Sequence, residues 1–86
     1  MKNIDAWDLK VTDRKSFEKF LNLLLIDLKK NQDDWENNKL EKFLEAMSRY
    51  TSVLDSYYKN MESDSNADIP TWKVFADIMR GAVVYE

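Results

Sequence analysis

The chain has 86 residues, 34% of them charged, with a net charge of −3, one Gly, one Pro, no His and no Cys. A chain this short makes one domain, spanning 1–86, that buries only about 60–65% of the surface its unfolded form exposes. Without His or Cys it has no imidazole base, thiolate or disulfide and almost no zinc or haem ligands, and one Gly cannot build a phosphate-cradling loop.

Three Trp, four Phe and four Tyr supply the large side chains a compact core needs. The scarcity of Gly and Pro favours helices, and the aromatic content is too high for a disordered segment. No apolar run reaches signal-peptide length near the N-terminus. The greasiest stretch, Phe20 to Leu28, carries Asn22 and Asp27 and falls short of the ~20 residues of a spanning helix. Together with the missing Cys, this sets a cytoplasmic, membrane-free protein as the default expectation.

In residues 1–11 the apolar Trp7, Leu9 and Val11 alternate with polar neighbours, which predicts a short extended arm laid over the core. Thr12 or Asp13 can cap a first helix over about 13–30. Its apolar stripe is Phe17, Phe20, Leu21, Leu24 and Leu28, and Lys29 and Lys30 suit its carbonyl end. Leu23 and Ile26 lie off this stripe, so the arm or a second molecule is expected to cover them, the arm being favoured.

A polar break at Asn31 to Asp34 precedes the longest helix, about 38–60, for which Asn37 or Asn38 is the expected cap. Leu40, Phe43, Leu44, Met47, Thr51, Leu54 and Tyr58 make one stripe, and Ala46, Tyr50, Val53 and Tyr57 a second along its flank. An arc that wide predicts a central helix with two neighbours. The polar segment Met61 to Ile69 reads as the longest loop. Pro70 and Thr71 then open a third helix, about 71–84, with the stripe Trp72, Phe75, Ala76, Met79 and Val83 and a flank stripe of Val74, Ile78, Ala82 and Tyr85 that widens its apolar face too. Gly81 beside Ala82 leaves room for another backbone. The fold class is therefore all-α: three helices and an extended N-terminal arm.

Two motifs resemble a small uncharacterised bacterial family, a domain of unknown function. One is Trp35-Glu36-Asn37 with Leu40 and Phe43-Leu44-Glu45-Ala46. The other is Pro70 and Trp72 with Ala76-Asp77, Ala82 and Tyr85-Glu86. The resemblance runs from about Arg14 to Glu86 and implies a helical, soluble bacterial protein. It transfers no catalytic residue. Its pattern often places a Gly after the second helix, where this chain has Met61 and Glu62.

Carboxylates carry what chemistry remains. Glu41 and Glu45, one helical turn apart, could form a dication site or an acid–base pair, but a solvated face is the ordinary reading of such spacing. Asp33, Asp34 and Glu36 lack the alternation and turning Gly of a calcium loop. No catalytic residue, metal or cofactor is assigned. Acids far outnumber bases between Asn31 and Pro70, which argues against nucleic acid, whose phosphates need clustered Lys and Arg.

The leading expectation is thus a non-catalytic protein-binding module, an inhibitor or immunity-type protein for a basic partner. Asp33, Asp34, Glu36, Glu41 and Glu45 would form its acidic edge, with Trp35 as an anchor or else a plug between helices. The alternative is a homo-oligomer or structural subunit using apolar flanks near Leu23 and Ile26. A carboxylate–metal enzyme ranks last.

Overall fold

A computed structural model describes residues 4–86. It contains three α-helices, α1 (Arg14–Lys30), α2 (Leu40–Asn60) and α3 (Trp72–Val84), with a single 3-10 turn, Gln32–Asp34, between the first two. No strand occurs among the described residues, so the expected all-α, three-helix class is what the chain adopts.

Each helix starts where local chemistry supplies a partner for its free backbone N–H groups, with one exception. The Asp13 carboxylate accepts from Ser16 N at 2.8 Å while Ser16 Oγ accepts from Asp13 N at 3.0 Å, closing a reciprocal capping box on α1. Thr71 Oγ1 accepts from Val74 N and caps α3 directly after Pro70. The exception is α2, which begins at Lys39 with no side-chain cap. Neither expected cap serves it. Asn38 Nδ2 donates to Gln32 O, and Asn37 is turned into the core.

The exit of α2 is a Schellman motif: Ser63 N donates to Tyr58 O and Glu62 N to Lys59 O. This geometry places Glu62 at φ 55°, the one positive φ at a non-Gly residue among those described.

The spine of the fold is α3, not the longer α2. Helices α1 and α2 each pack against α3, while no Cα of α1 comes within 8 Å of one in α2. Small side chains explain the difference, because Ala76 and Ala82 are fully buried and let both neighbours approach. One cluster gathers Phe20 and Leu24 of α1 with Ala76 and Val83. A second joins Tyr50, Leu54 and Tyr58 of α2 to Val74.

With one neighbour instead of two, α2 buries only the seam Ala46, Tyr50, Leu54 and Tyr58. Leu40, Leu44, Val53 and Tyr57 face solvent. On α1, Leu21 is likewise exposed, and Trp72 and Phe75 of α3 stay partly exposed while clustering with Phe17 at centroid distances of 5.4 and 6.4 Å.

Residues 1–3 of the expected arm lie outside the described residues. From Asp5 the arm is first a turn, in which Leu9 N donates to Asp5 O and the Asp5 carboxylate accepts from Trp7 N and Asp8 N. That turn breaks the alternation: Ala6 and Val11 enter the core, Leu9 packs against it and Trp7 faces outward. The arm does not cover Ile26, which remains 46% exposed. Leu23 packs against the first cluster.

Candidate interaction surfaces

Antiparallel packing of α2 on α3 leaves a groove along their junction. Its deeper part, about 430 Å³, is walled by Trp7, Tyr50, Tyr57, Met61 and Val84, and it continues past Tyr57 and Val84 toward Val53, Tyr85 and Glu86. Met61, Val84 and Tyr57 are 61%, 57% and 45% exposed. Tyr50 meets Tyr57 and Tyr85 edge-on at centroid distances of 5.5 and 5.4 Å, which fixes the wall.

Gly81 makes this wall possible. A Cβ there would collide with the Tyr50 ring, so the glycine admits an aromatic ring of α2 and not the backbone expected from sequence.

The floor of the groove is polar and internally matched. Asp77 Oδ2 accepts from Tyr58 Oη at 2.6 Å and Lys73 Nζ at 2.7 Å, and Oδ1 accepts from Arg80 at 3.0 Å. Arg80 also donates to the carbonyls of Ala6 and Leu9 and lies 4.8 Å from the centre of the Phe20 ring. One guanidinium therefore ties the arm to α3. Burial pushes the Tyr58 hydroxyl well above its usual range, and the hydrogen bond to Asp77 and its charge add to the effect. Burial raises Tyr50 too, helped by neighbouring Tyr57. Both phenols stay protonated near neutrality, where they serve as packing and donor groups.

The acidic edge lies at the other end of α2. Asp33 and Asp34 sit exposed in the 3-10 turn and Glu41 on the first turn of α2. Glu36 and Glu45 come together in a shallow depression with Lys42, Arg49 and Glu86. Among the described residues no ion pair engages any of these five carboxylates, nor does any group of three or more acidic side chains have metal-site geometry.

Trp35, between these acids, is a plug. It is 7% exposed, its Nε1 donates to Asp27 Oδ2 at 2.7 Å and its ring stacks on Phe43. Asn37 clamps the end of α3: its Nδ2 donates to Ala82 O at 2.9 Å and Tyr85 O at 2.8 Å, and its backbone N to Val83 O. Of the two apolar candidates, Ile26 is on the surface and Leu23 is largely in the core.

Sequence reasoning missed the groove because Val53 and Tyr57 looked like the flank of a doubly packed helix, and Met61 like loop. The signal was present in Gly81, a lone glycine opposite a column of tyrosines.

A family model described as a family of unknown function (DUF7660) matches residues 13–86. No curated protein and no solved structure matches the chain.

Proposed function

The chain belongs to the family of unknown function DUF7660, and we propose from its surfaces that it is a non-catalytic protein-binding module. The partner is taken in the groove between α2 and α3. The observation that carries this reading is a continuous exposed strip of Trp7, Val53, Tyr57, Met61 and Val84. Tyr, Trp and Met are the residue types enriched in interface cores. Together the five expose roughly 450 Å² of largely apolar surface, the size at which a patch on a small protein is often functional.

The non-catalytic half is supported by the polar floor. Asp77 is held by ion pairs to both Lys73 and Arg80, and the shifted phenols move away from a working pKa, not toward one. Among the described residues no helix is long and apolar enough to cross a membrane, and we place the partner in the cytoplasm as part of the same reading.

The acidic edge favours a second reading. Its five unpaired carboxylates suit a basic partner that would be steered in by charge, as an inhibitor or immunity-type protein would require. The two readings separate in one capture experiment with the wild type, Tyr57→Glu and the double variant E41Q/E45Q as baits. Salt screens exposed charges, with a Debye length of about 10 Å at 0.1 M and 3 Å at 1 M, but spares apolar contact. A partner that survives high salt and is lost with Tyr57→Glu supports the groove. One weakened by salt and by E41Q/E45Q but indifferent to Tyr57→Glu supports the edge, and capture of nothing, a second copy of the chain included, counts against binding altogether.

A further inference from the structure

The groove between α2 and α3 is two depressions in line. Trp7 and Met61 bound the deeper one and Val53 and Tyr85 the shallower one, while Tyr57 and Val84 belong to both. Aromatic rings therefore recur along it in the order Trp7, Tyr57, Tyr85. Each of the three carries one hydrogen-bond donor at its tip.

The walls restrict what can lie there. Both are helices, whose backbone N–H and C=O groups are spent within the helix. No strand edge is offered, so an extended peptide with free amides would lose its water without gaining main-chain partners. Proline has no amide N–H to lose, and a run of prolines is already extended as a polyproline helix.

Charge points the same way. At the deep end Lys73 and Arg80 face Asp77, and Asp5 and Asp8 stand beside Trp7 in the turn of the arm. At the shallow end Glu86 adjoins Lys42 and Arg49 as well as Glu36 and Glu45. Both ends are of mixed sign, which suits an uncharged occupant.

Area favours a short peptide over a folded protein. The strip offers roughly 450 Å², about half of the ~800 Å² that each partner of a standard complex buries. Val53 and Met61 are ~12 Å apart along α2 and Lys73 and Glu86 ~20 Å apart along α3 and its extension, distances spanned by ~4–6 residues of polyproline helix.

We propose that this groove binds a short, uncharged, proline-rich segment of a partner protein in the polyproline conformation. Its prolines sit in the two depressions between Trp7, Tyr57 and Tyr85, and its carbonyls accept from the donors at the tips of those rings. The inference rests on the reading of the groove as a binding surface and names its occupant.

The probe is decaproline with blocked ends, titrated into the isotope-labelled full chain up to about 5 mM and followed by amide and indole N–H spectra. Two neutral peptides serve as controls: a flexible Gly–Ser peptide of the same length, and a longer Ala–Gln helix carrying Leu on one face. The expected result is saturable shifts at Trp7, Tyr57, Met61, Gly81 and Val84, with a Kd below about 1 mM and about tenfold or more tighter than either control. Tyr57→Ala and Val84→Lys, both at exposed positions, should each weaken binding by about tenfold or more with the circular dichroism spectrum unchanged. Tyr57→Phe, which keeps the ring and loses the donor, should weaken it less.

Equal binding of the Gly–Ser peptide, tighter binding of the helix, shifts outside the groove, an affinity untouched by both variants, or no binding at about 5 mM each overturns the proline-rich occupant. The groove is judged separately. A protein captured at high salt and lost with Tyr57→Glu upholds it as a binding surface even then, whereas no such protein and no peptide binding overturn both.

Discussion

Glu62 offers the sharpest test of how the backbone of this fold is made. It sits at φ 55° as the left-handed residue of the Schellman motif that ends α2. An L side chain pays about 1–2 kcal/mol for that conformation, which glycine adopts freely. Glycine returns about 0.5–1 kcal/mol of this through the greater entropy of its unfolded chain, leaving a net gain for Glu62→Gly of roughly 0.5–1 kcal/mol. For a domain of this size each kcal/mol moves the midpoint by about 4–8 °C, so Tm should rise by roughly 2–8 °C. Glu62 also places a negative charge at the carbonyl end of α2, which is itself unfavourable. Glu62→Gln isolates that contribution, because it removes the charge and keeps the Cβ. Thermal and urea unfolding of the wild type, E62Q and E62G should therefore rank them in ascending stability. If E62G is no more stable than E62Q, the left-handed geometry is not costing the fold what its φ implies.

Asn37→Ala removes two donors from the carbonyls of Ala82 and Tyr85 in a largely buried site; a loss of about 2–4 kcal/mol is expected by urea unfolding, since both acceptors lose their partner. Gly81→Ala drives a methyl into the Tyr50 ring and should cost about 1–3 kcal/mol. The cost should shrink in a Tyr50→Leu background, and a double-mutant cycle with no coupling would contradict the packing. The Asp13 carboxyl is held below its usual value, first by the backbone hydrogen bond from Ser16 and then by the Ser16 hydroxyl. Its contribution is therefore complete above the unfolded pKa and lost as pH falls through the lower folded one. Tm measured from about pH 5 down to pH 2 should fall less steeply in Asp13→Asn, which keeps a good cap but does not titrate.

The helices were legible because each signal acts within a few residues: Asp13 and Thr71 as caps, the Phe17–Leu28 stripe, and Pro70 before the third helix. The errors arise where a residue works at a distance. Asn37 looks like a cap for the helix that follows it, yet it serves the end of α3, more than 40 positions away. A local pattern cannot say that its side chain is spent elsewhere. The arm failed for a local reason, since an Asp5 side chain that accepts from Trp7 N and Asp8 N outweighs a weak alternation of five residues.

A wide apolar arc marks both α2 and α3 in the sequence, and length made α2 the expected spine. What mattered was side-chain size, for the buried alanines of α3 let two helices close on it. The same misreading hid the groove, because a tyrosine assigned to a second neighbour is not looked for on the surface.

The residues of the two sequence motifs divide along structural lines. Trp35, Asn37, Ala46, Ala76, Asp77 and Ala82 each have a task inside this fold: a plug, a helix clamp, three close contacts and the hub of the Tyr58, Lys73 and Arg80 network. Stability alone accounts for them. Leu40 does not fit that account, being 74% exposed, and neither do exposed Leu44, Glu36 and Glu45. A large apolar side chain in water gains nothing for the folded monomer. Leu40 and Leu44 are one turn apart on the first half of α2, beside Glu41 and Glu45, and this pairing of apolar knobs with carboxylates is what a basic amphipathic surface would match. The second reading of function consequently draws on more than charge. It predicts a contact that high salt weakens without abolishing, whereas a purely electrostatic edge would release its partner entirely.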